Sequence, residues 1–392
     1  MTSYKTPARI SIVMSTYNRA DFLREAIESM IQLSPPAHEI IVIDDGSTDE
    51  TSRVLDEFSS HVIFERQKNA GKSCAINRAV SLASGDWIWI CDDDDLVLPG
   101  AIGAFSRGVE VDPESGFVYS GSGWLIRDES GEYQQRFPSA IDLPRSEEIW
   151  GCLLAGRWIP YMWSLIMRRD IFLSVGRLRD DLRRVEDEDL ALRLLRVSRG
   201  VPVLDNTYLF RQHNGSRGAG KFRFANQNRE MTDIAFLQAI YQGVYESFEI
   251  DDYRTVPSNK YRLPAEPILL RLLTMFRVCL WDYARNDYAC SPRYDLDSRD
   301  IANFAYSIAL VIGNFNVEKI NEFLASGFMV DIKDFNKFNQ LRDPIVAGLI
   351  KGIYWSMAAD AKNLLLINVA KRIRPLILLL WVRVMSKIWL RW

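Results

Sequence analysis

Over the first hundred residues, short apolar runs alternate with stretches in which apolar residues recur at helical spacing. Residues 10–14 form a β-rich apolar run, and helical spacing follows at Leu23, Ile27, Met30 and Ile31, with Asn18 as the expected N-cap. Pro35 and Pro36 break the chain before a second apolar run at 40–43. Ser47 and Glu50 then stand at capping-box spacing ahead of Val54, Leu55 and Phe58. A third strand is expected at 62–64 and a helix through Ala75, Ile76, Ala79 and Leu82. A fourth strand is expected at 87–91, whose unbroken apolar character suits burial on both faces. The order β-α-β-α-β-α-β predicts an α/β fold with a mostly parallel sheet flanked by helices.

Further along, 115–225 reads as mixed, with a strand at 117–120 and a strongly patterned helix over 188–197. Helical patterning then dominates, at 229–247, 264–285, 299–311, 317–326 and 343–392. The change of texture puts a domain boundary near 220–230, giving an α/β domain over 1–225 and a helical C-terminal domain over 226–392.

The polar residues become informative against that frame. In open parallel sheets ligands bind beyond the carboxyl ends of the strands. Ser15-Thr16-Tyr17-Asn18, Asp44-Asp45-Gly46-Ser47 and Asp92-Asp93-Asp94-Asp95 each directly follow an expected strand, so three polar clusters converge on one edge. Four adjacent carboxylates repel one another, a cost that falls when a divalent cation sits among them. Magnesium or manganese takes oxygen ligands, with a few carboxylates and phosphate oxygens completing the shell. The bland reading of such a run is a solvated acidic turn, and its place after a buried strand argues against that. Asp44-Asp45-Gly46-Ser47 is ordinary turn and cap chemistry, with Ser47 as the cap and one aspartate left over to accept from a base N–H or a ribose hydroxyl. Tyr17 at the end of the first strand reads either as a packed or half-exposed aromatic, the commoner case, or as a ring that covers a base face.

Glu186-Asp187-Glu188-Asp189 precedes Leu190, Leu192, Leu194 and Leu195. Acids favour a helix N-terminus, and one here can also act as the general base that deprotonates an acceptor hydroxyl. His213 lies in a polar loop-like stretch and is a candidate additional metal ligand, with Arg211 or Arg217 near phosphates.

Composition narrows the classes. The 392 residues carry a formal net charge of -3, which argues against a nucleic-acid binder that coats phosphates. Five scattered cysteines without a C-x-x-C pair argue against a disulfide framework or a zinc site and fit a reducing cytosol. The polar first nine residues hold no secretory h-region, and no apolar run reaches the ~18 residues of a membrane span. The expected location is cytoplasmic, with peripheral attachment at the inner face of the membrane as an option. That option comes from the end of the chain. Lys362, Lys371, Arg372, Arg374, Arg383, Lys387 and Arg391 are unopposed by any acid, and Ile377, Trp381, Met385, Ile388 and Trp392 share one helical face. A basic helix over about 362–392 with an aromatic-apolar face is the pattern of a membrane-surface anchor.

Taken together, the N-terminal clusters resemble the inverting family 2 glycosyltransferases of GT-A fold. The matching stretches are residues 11–19, 41–49, 69–73 and 83–88 leading into Asp92-Asp93-Asp94-Asp95, then Pro99, and finally Glu186-Asp187-Glu188-Asp189-Leu190. Each is weak alone, but their order over about 200 residues is specific. The resemblance implies a nucleotide-diphosphate sugar donor, with UDP favoured, a saccharide or lipid-linked acceptor, and a divalent metal, Mn2+ or Mg2+. It implies that Ser15 and Tyr17 line the base pocket, that Asp45 reads the base edge, and that Lys72, Asp92 and Asp93 contact the donor. Asp94 would sit on the metal and Asp187 would be the catalytic base. A single base without a covalent nucleophile implies inversion. This chain has Asp93 where the family motif has a small residue and Cys91 before it, which leaves the metal position open by one residue. A non-catalytic scaffold of the same fold and a nucleotidyltransferase are the alternatives; the absence of a glycine-rich loop after the first strand disfavours dinucleotide binding.

Overall fold

The computed structural model describes residues 7–128, 130–212, 229–256, 258, 260–290, 300, 303, 304, 307, 308 and 311. The C-terminal basic segment and His213 lie outside the described residues. The chain divides into two compact units, Met1–Ile149 with Trp158–Phe236, and Trp150–Arg157 with Leu237–Trp392.

The first unit opens with β1 (Ile10–Thr16), α1 (Ala20–Ile31), β2 (Glu39–Asp44), α2 (Thr51–Glu57), β3 (Ile63–Arg66), α3 (Lys72–Leu82) and β4 (Trp87–Asp92). β5 (Leu96–Val97), α4 (Ala101–Val111), β6 (Phe117–Arg127) and β7 (Tyr133–Arg136) follow. Beyond α5 (Ile149–Leu154) come β8 (Leu165–Arg168), α6 (Arg169–Ser174), α7 (Glu186–Val197) and β9 (Gly200–Arg211). One sheet holds them in the order β3-β2-β1-β4-β8-β6-β9-β5, with β7 paired to β6. The first four strands are parallel to one another, as their α-helical crossovers require. β8 then enters antiparallel between β4 and β6. A four-residue strand with no periodicity of its own carried no signal of that insertion.

Alternation along the strands explains why their apolar runs are continuous. Ile12, Met14, Ile40, Val42, Trp89 and Cys91 face one core with α1 and α4 residues, while Val13, Ile41, Ile43, Ile88 and Ile90 face a second with α3 and α7 residues. Helices cover both faces, so every position along these strands must be apolar. Ser11 is a buried polar exception, as are Thr16 and Asp44 at the carboxyl ends of β1 and β2. The Ser11 hydroxyl donates to Glu39 at 2.6 Å and accepts from the Gly85 amide at 3.0 Å. A Cβ on Gly85 would lie 2.5 Å from that oxygen, so only glycine fits there.

Two expected caps are replaced by one. Ser47 does not cap α2, because its hydroxyl accepts from the Asn18 amide at 2.9 Å. Nor does Asn18 cap α1, because its carbonyl accepts from the Thr48 amide at 2.7 Å. Asp49 serves both helices: it accepts from the Ala20 amide at 3.2 Å and from the Thr51 amide at 3.1 Å. A carboxylate has two oxygens and a full charge to offer two helix ends, which a hydroxyl lacks.

In the second unit, α9 (Pro267–Arg277) is buried along most of its length, and α10 (Trp281–Cys290) supplies Asp287 to Arg271 at 2.6 Å. α8 (Arg229–Ser247) matches the expected helix at 229–247. The helix expected over 264–285 is interrupted at Cys279, whose φ of 60° is left-handed and stops the α-helix.

Candidate active site

The carboxyl ends of the parallel strands bring the predicted clusters together. Ser15 pairs in register with Ile43 on one side and Asp92 on the other, and Thr16 lies beside Asp44. Ser15 is half-buried, and Tyr17, just beyond it, is 38 % exposed. Asp45 is buried, and its carboxylate accepts from Gln67 Nε2 and the Ala70 and Gly71 amides, each at 2.8 Å. It thereby shapes the 67–71 loop that delivers Lys72. Gly71, with φ +96°, closes that loop against Arg183, whose Nη1 would be 1.9 Å from any Cβ at this position.

The 92–95 turn is held from β9. Tyr208 Oη accepts from the Asp92 amide at 3.0 Å, and the Arg211 amide donates to Asp95 Oδ1 at 2.7 Å. The Arg211 side chain is fully buried; it donates to the Asp94 carbonyl and to Glu25, both at 2.7 Å, and lies over the rings of Tyr133 and Phe22. Sequence reading expected Arg211 or Arg217 near phosphates. Arg211 instead braces the turn from inside, while Arg217 is outside the described residues.

The four carboxylates part company. Asp92 Oδ1 is 2.6 Å from Lys72 Nζ. Asp93 and Asp94 share Arg19 Nη1, at 3.0 Å and 2.5 Å. Asp92, Asp94 and Asp95 each offer one oxygen, and these three oxygens lie within 4.8 Å of one another. Asp95 Oδ2 is buried without a hydrogen-bond partner. An all-oxygen set with an orphaned buried acceptor fits a hard divalent cation. Burial pushes Asp93 up to about 6, against the pull of Arg19, and burial with the charges of Asp94 and Asp92 raises Asp95 well above the usual carboxylate range. Burial likewise raises the Cys91 thiol.

The second acidic run begins at α7. Val185, immediately before it, is left-handed at φ 55°. For a β-branched residue that conformation costs about 1–3 kcal/mol, a strain that tends to mark functional segments. Asp189 is neutralised by Arg193 at 2.5 Å and Arg179 at 3.6 Å. Glu186 lies 3.7 Å from Lys72. Asp187 accepts from the Glu188 amide at 2.9 Å and is pushed up to about 7, first by burial and then by Glu186, with Lys72 pulling the other way. Lys72 thus links the two acidic runs. Burial works against its charge, but Asp92 and then Glu186 hold its pKa above the ordinary lysine value.

Sequence reading missed Arg19, Gln67 and the strain at Val185. Arg19 left a signal, a cation two residues past Tyr17 at the same sheet edge. The conformation of Val185 left none.

Residues 11–172 match the family model described as Glycosyl transferase family 2. It is 30% identical over 176 residues to the uncharacterized glycosyltransferase YibD of Escherichia coli K12, covering 42% of this chain and 50% of that protein. An uncharacterized glycosyltransferase of Haemophilus influenzae is 28% identical over 200 residues, covering 50% of this chain and 65% of the relative. The chain therefore spans less than two thirds of each. Among solved structures, S. aureus TarS 1-349 in complex with UDP-GlcNAc aligns over 86% of this chain and 90% of that one, at 12% identity and a TM-score of 0.48. No helix among the described residues is long and apolar enough to cross a membrane.

Proposed function

We propose that the protein transfers a sugar from a nucleotide-diphosphate sugar, UDP favoured by the family resemblance, to a hydroxyl of a saccharide or lipid-linked acceptor, with inversion. Residues 1–225 form the catalytic domain in this reading. The observation that carries it is the position of Lys72 Nζ, 2.6 Å from Asp92 and 3.7 Å from Glu186. Two acidic runs far apart in the chain meet across one cation at the ligand edge of the sheet.

Asp92, Asp94 and Asp95 would hold a divalent cation, Mn2+ or Mg2+, which supplies charge to offset that growing on the leaving diphosphate. Tyr17 and Ser15, at the carboxyl end of β1, would line the base pocket. Asp45 fixes the loop carrying Lys72, and Lys72 sets the electrostatics of the second run. Asp187 takes the proton from the acceptor hydroxyl. A carboxylate raised to about 7 is a stronger base than an ordinary one and is still largely ionised just above neutral pH. The basic-aromatic segment near the C-terminus supports an acceptor presented at a membrane surface.

Calorimetry tests this directly. UDP is expected to bind wild-type protein with Mn2+ at least tenfold more tightly than with EDTA, and Asp94→Ala is expected to abolish most of the difference. Equal affinity in both conditions would remove the metal from the proposal.

A further inference from the structure

Arg19 occupies the loop between β1 and α1 and reaches the aspartate turn with a single nitrogen. Its Nη1 lies 3.0 Å from Asp93 Oδ1 and 2.5 Å from Asp94 Oδ2, and both acids are buried. Only one of those partners belongs to the converging trio, since Asp94 groups with Asp92 and Asp95 while Asp93 does not. The guanidinium therefore straddles a carboxylate that would ligate a cation and one that would not. A divalent ion bound by Asp94 must share that carboxylate with a positive charge already there. Two cations a few ångströms apart in a partly desolvated site repel strongly. Asp93, which pairs with Arg19 and lies outside the trio, would keep the guanidinium tethered when Asp94 turns to another cation.

We propose that Arg19 is a positioning residue that orients Asp94 through its tether on Asp93 and weakens the binding of a bare divalent cation, so that metal and nucleotide diphosphate bind cooperatively. The inference rests on the metal-dependent reading above. A diphosphate brings the negative charge that relieves repulsion between Arg19 and the metal. Each ligand then raises the affinity of the other by the same factor, as linkage requires. The extra aspartate in the middle of the motif thereby has a function. It anchors the arginine that makes the site selective for metal together with nucleotide over metal alone.

The test is an EPR titration of free Mn2+ with full-length wild-type, Arg19→Ala and Arg19→Lys proteins, each without and with UDP. Arg19→Ala is expected to bind Mn2+ alone about tenfold more tightly, and the enhancement by UDP is expected to shrink by a similar factor. Arg19→Lys retains the charge and should stay within about threefold of wild type. A merely structural arginine predicts a lower melting temperature and Mn2+ affinity that is unchanged or weaker; that result in folded protein overturns the proposal. If Arg19→Ala fails to fold, Arg19→Gln removes the charge while keeping a hydrogen-bond donor and replaces it in the same comparison. Wild type that binds Mn2+ while the neutral variant binds it no better sinks the role of Arg19 alone. No Mn2+ binding by any of the proteins, even with UDP, sinks the metal reading and this inference together.

Discussion

The acidic runs at 92–95 and 186–189 look alike in sequence, four carboxylates beside an apolar element, yet their surroundings give them opposite characters. In the first run the charges are shared out: Lys72 faces Asp92, Arg19 faces Asp93 and Asp94, and three oxygens remain close enough for one cation. In the second, arginines neutralise Asp189 and Lys72 faces Glu186, while Asp187 is left half-buried beside another acid. One run is built to gather positive charge, and the other to leave a single carboxylate hungry for a proton. Charge count does not distinguish them; partners and burial do.

Asp187→Asn breaks the comparison most severely. Asparagine keeps an oxygen to accept from the Glu188 amide but cannot take a proton, so turnover is expected to fall by about 10²–10⁴ with UDP affinity little changed. The wild-type rate should decline as pH falls through about 7, because the base works only when ionised. Stability runs the other way. A carboxyl raised on folding contributes its full stability below its unfolded pKa and loses it as pH rises through about 7. The asparagine variant should therefore melt higher than wild type above neutral pH, by an amount on the order of 1 kcal/mol or more. A folded variant retaining most of its rate would take the base out of this position.

Lys72→Met sharpens the link between the runs. The lysine lowers the Asp187 pKa, so its loss should move the acid limb of the rate profile upward by about one pH unit. That shift corresponds to a loss of about tenfold at pH values below the limb. A limb that stays in place would mean that the two runs are electrostatically independent.

The parallel half of the sheet was legible because its strands are buried on both faces and its helices carry clear periodicity. The converging edge was legible for the same reason, since polar residues directly after such strands have one place to go. What the sequence hid depends on partners distant along the chain. Arg211 reads as a loop cation near phosphates, yet its fate is decided by Asp94, Glu25 and the rings of Tyr133 and Phe22. Ser47 reads as a cap, but the Asn18 amide reaches its hydroxyl first and Asp49 does the capping. That Arg19 reaches both Asp93 and Asp94, while only Asp94 converges with Asp92 and Asp95, is likewise encoded by no spacing rule.

Arg211→Met tests how firmly the first run is braced. Methionine can fill much of the space but leaves the Asp94 carbonyl without its donor and Glu25 without its cation. A loss of about 2 kcal/mol in unfolding free energy is expected, with weaker Mn2+ binding because the turn loosens. Denaturant melts and an Mn2+ titration on the same protein would check both. An unchanged Mn2+ affinity in a destabilised variant would show that the aspartates hold their arrangement without the brace.

Asp189→Asn carries the smallest expected effect, and it isolates what neutralisation does. Asp189 shares the second run with Asp187 and is the more buried of the two, but Arg193 sits at 2.5 Å and Arg179 at 3.6 Å. Its charge is therefore already spoken for, and it has no reason to take a proton from an acceptor. Both arginines keep part of their surface in water, with side-chain exposures of 27% and 46%, so neither is stranded when the carboxylate goes. Arg193 also keeps its bonds to the carbonyls of Val175 and Arg177. The expected loss is about 1 kcal/mol of stability, with turnover within about twofold of wild type and an acid limb that does not move. A rate loss approaching that of Asp187→Asn, in protein that still binds UDP normally, would transfer the proton-accepting role from Asp187 to Asp189. It would also mean that two arginines at contact distance do not suppress a carboxylate as a base in this site.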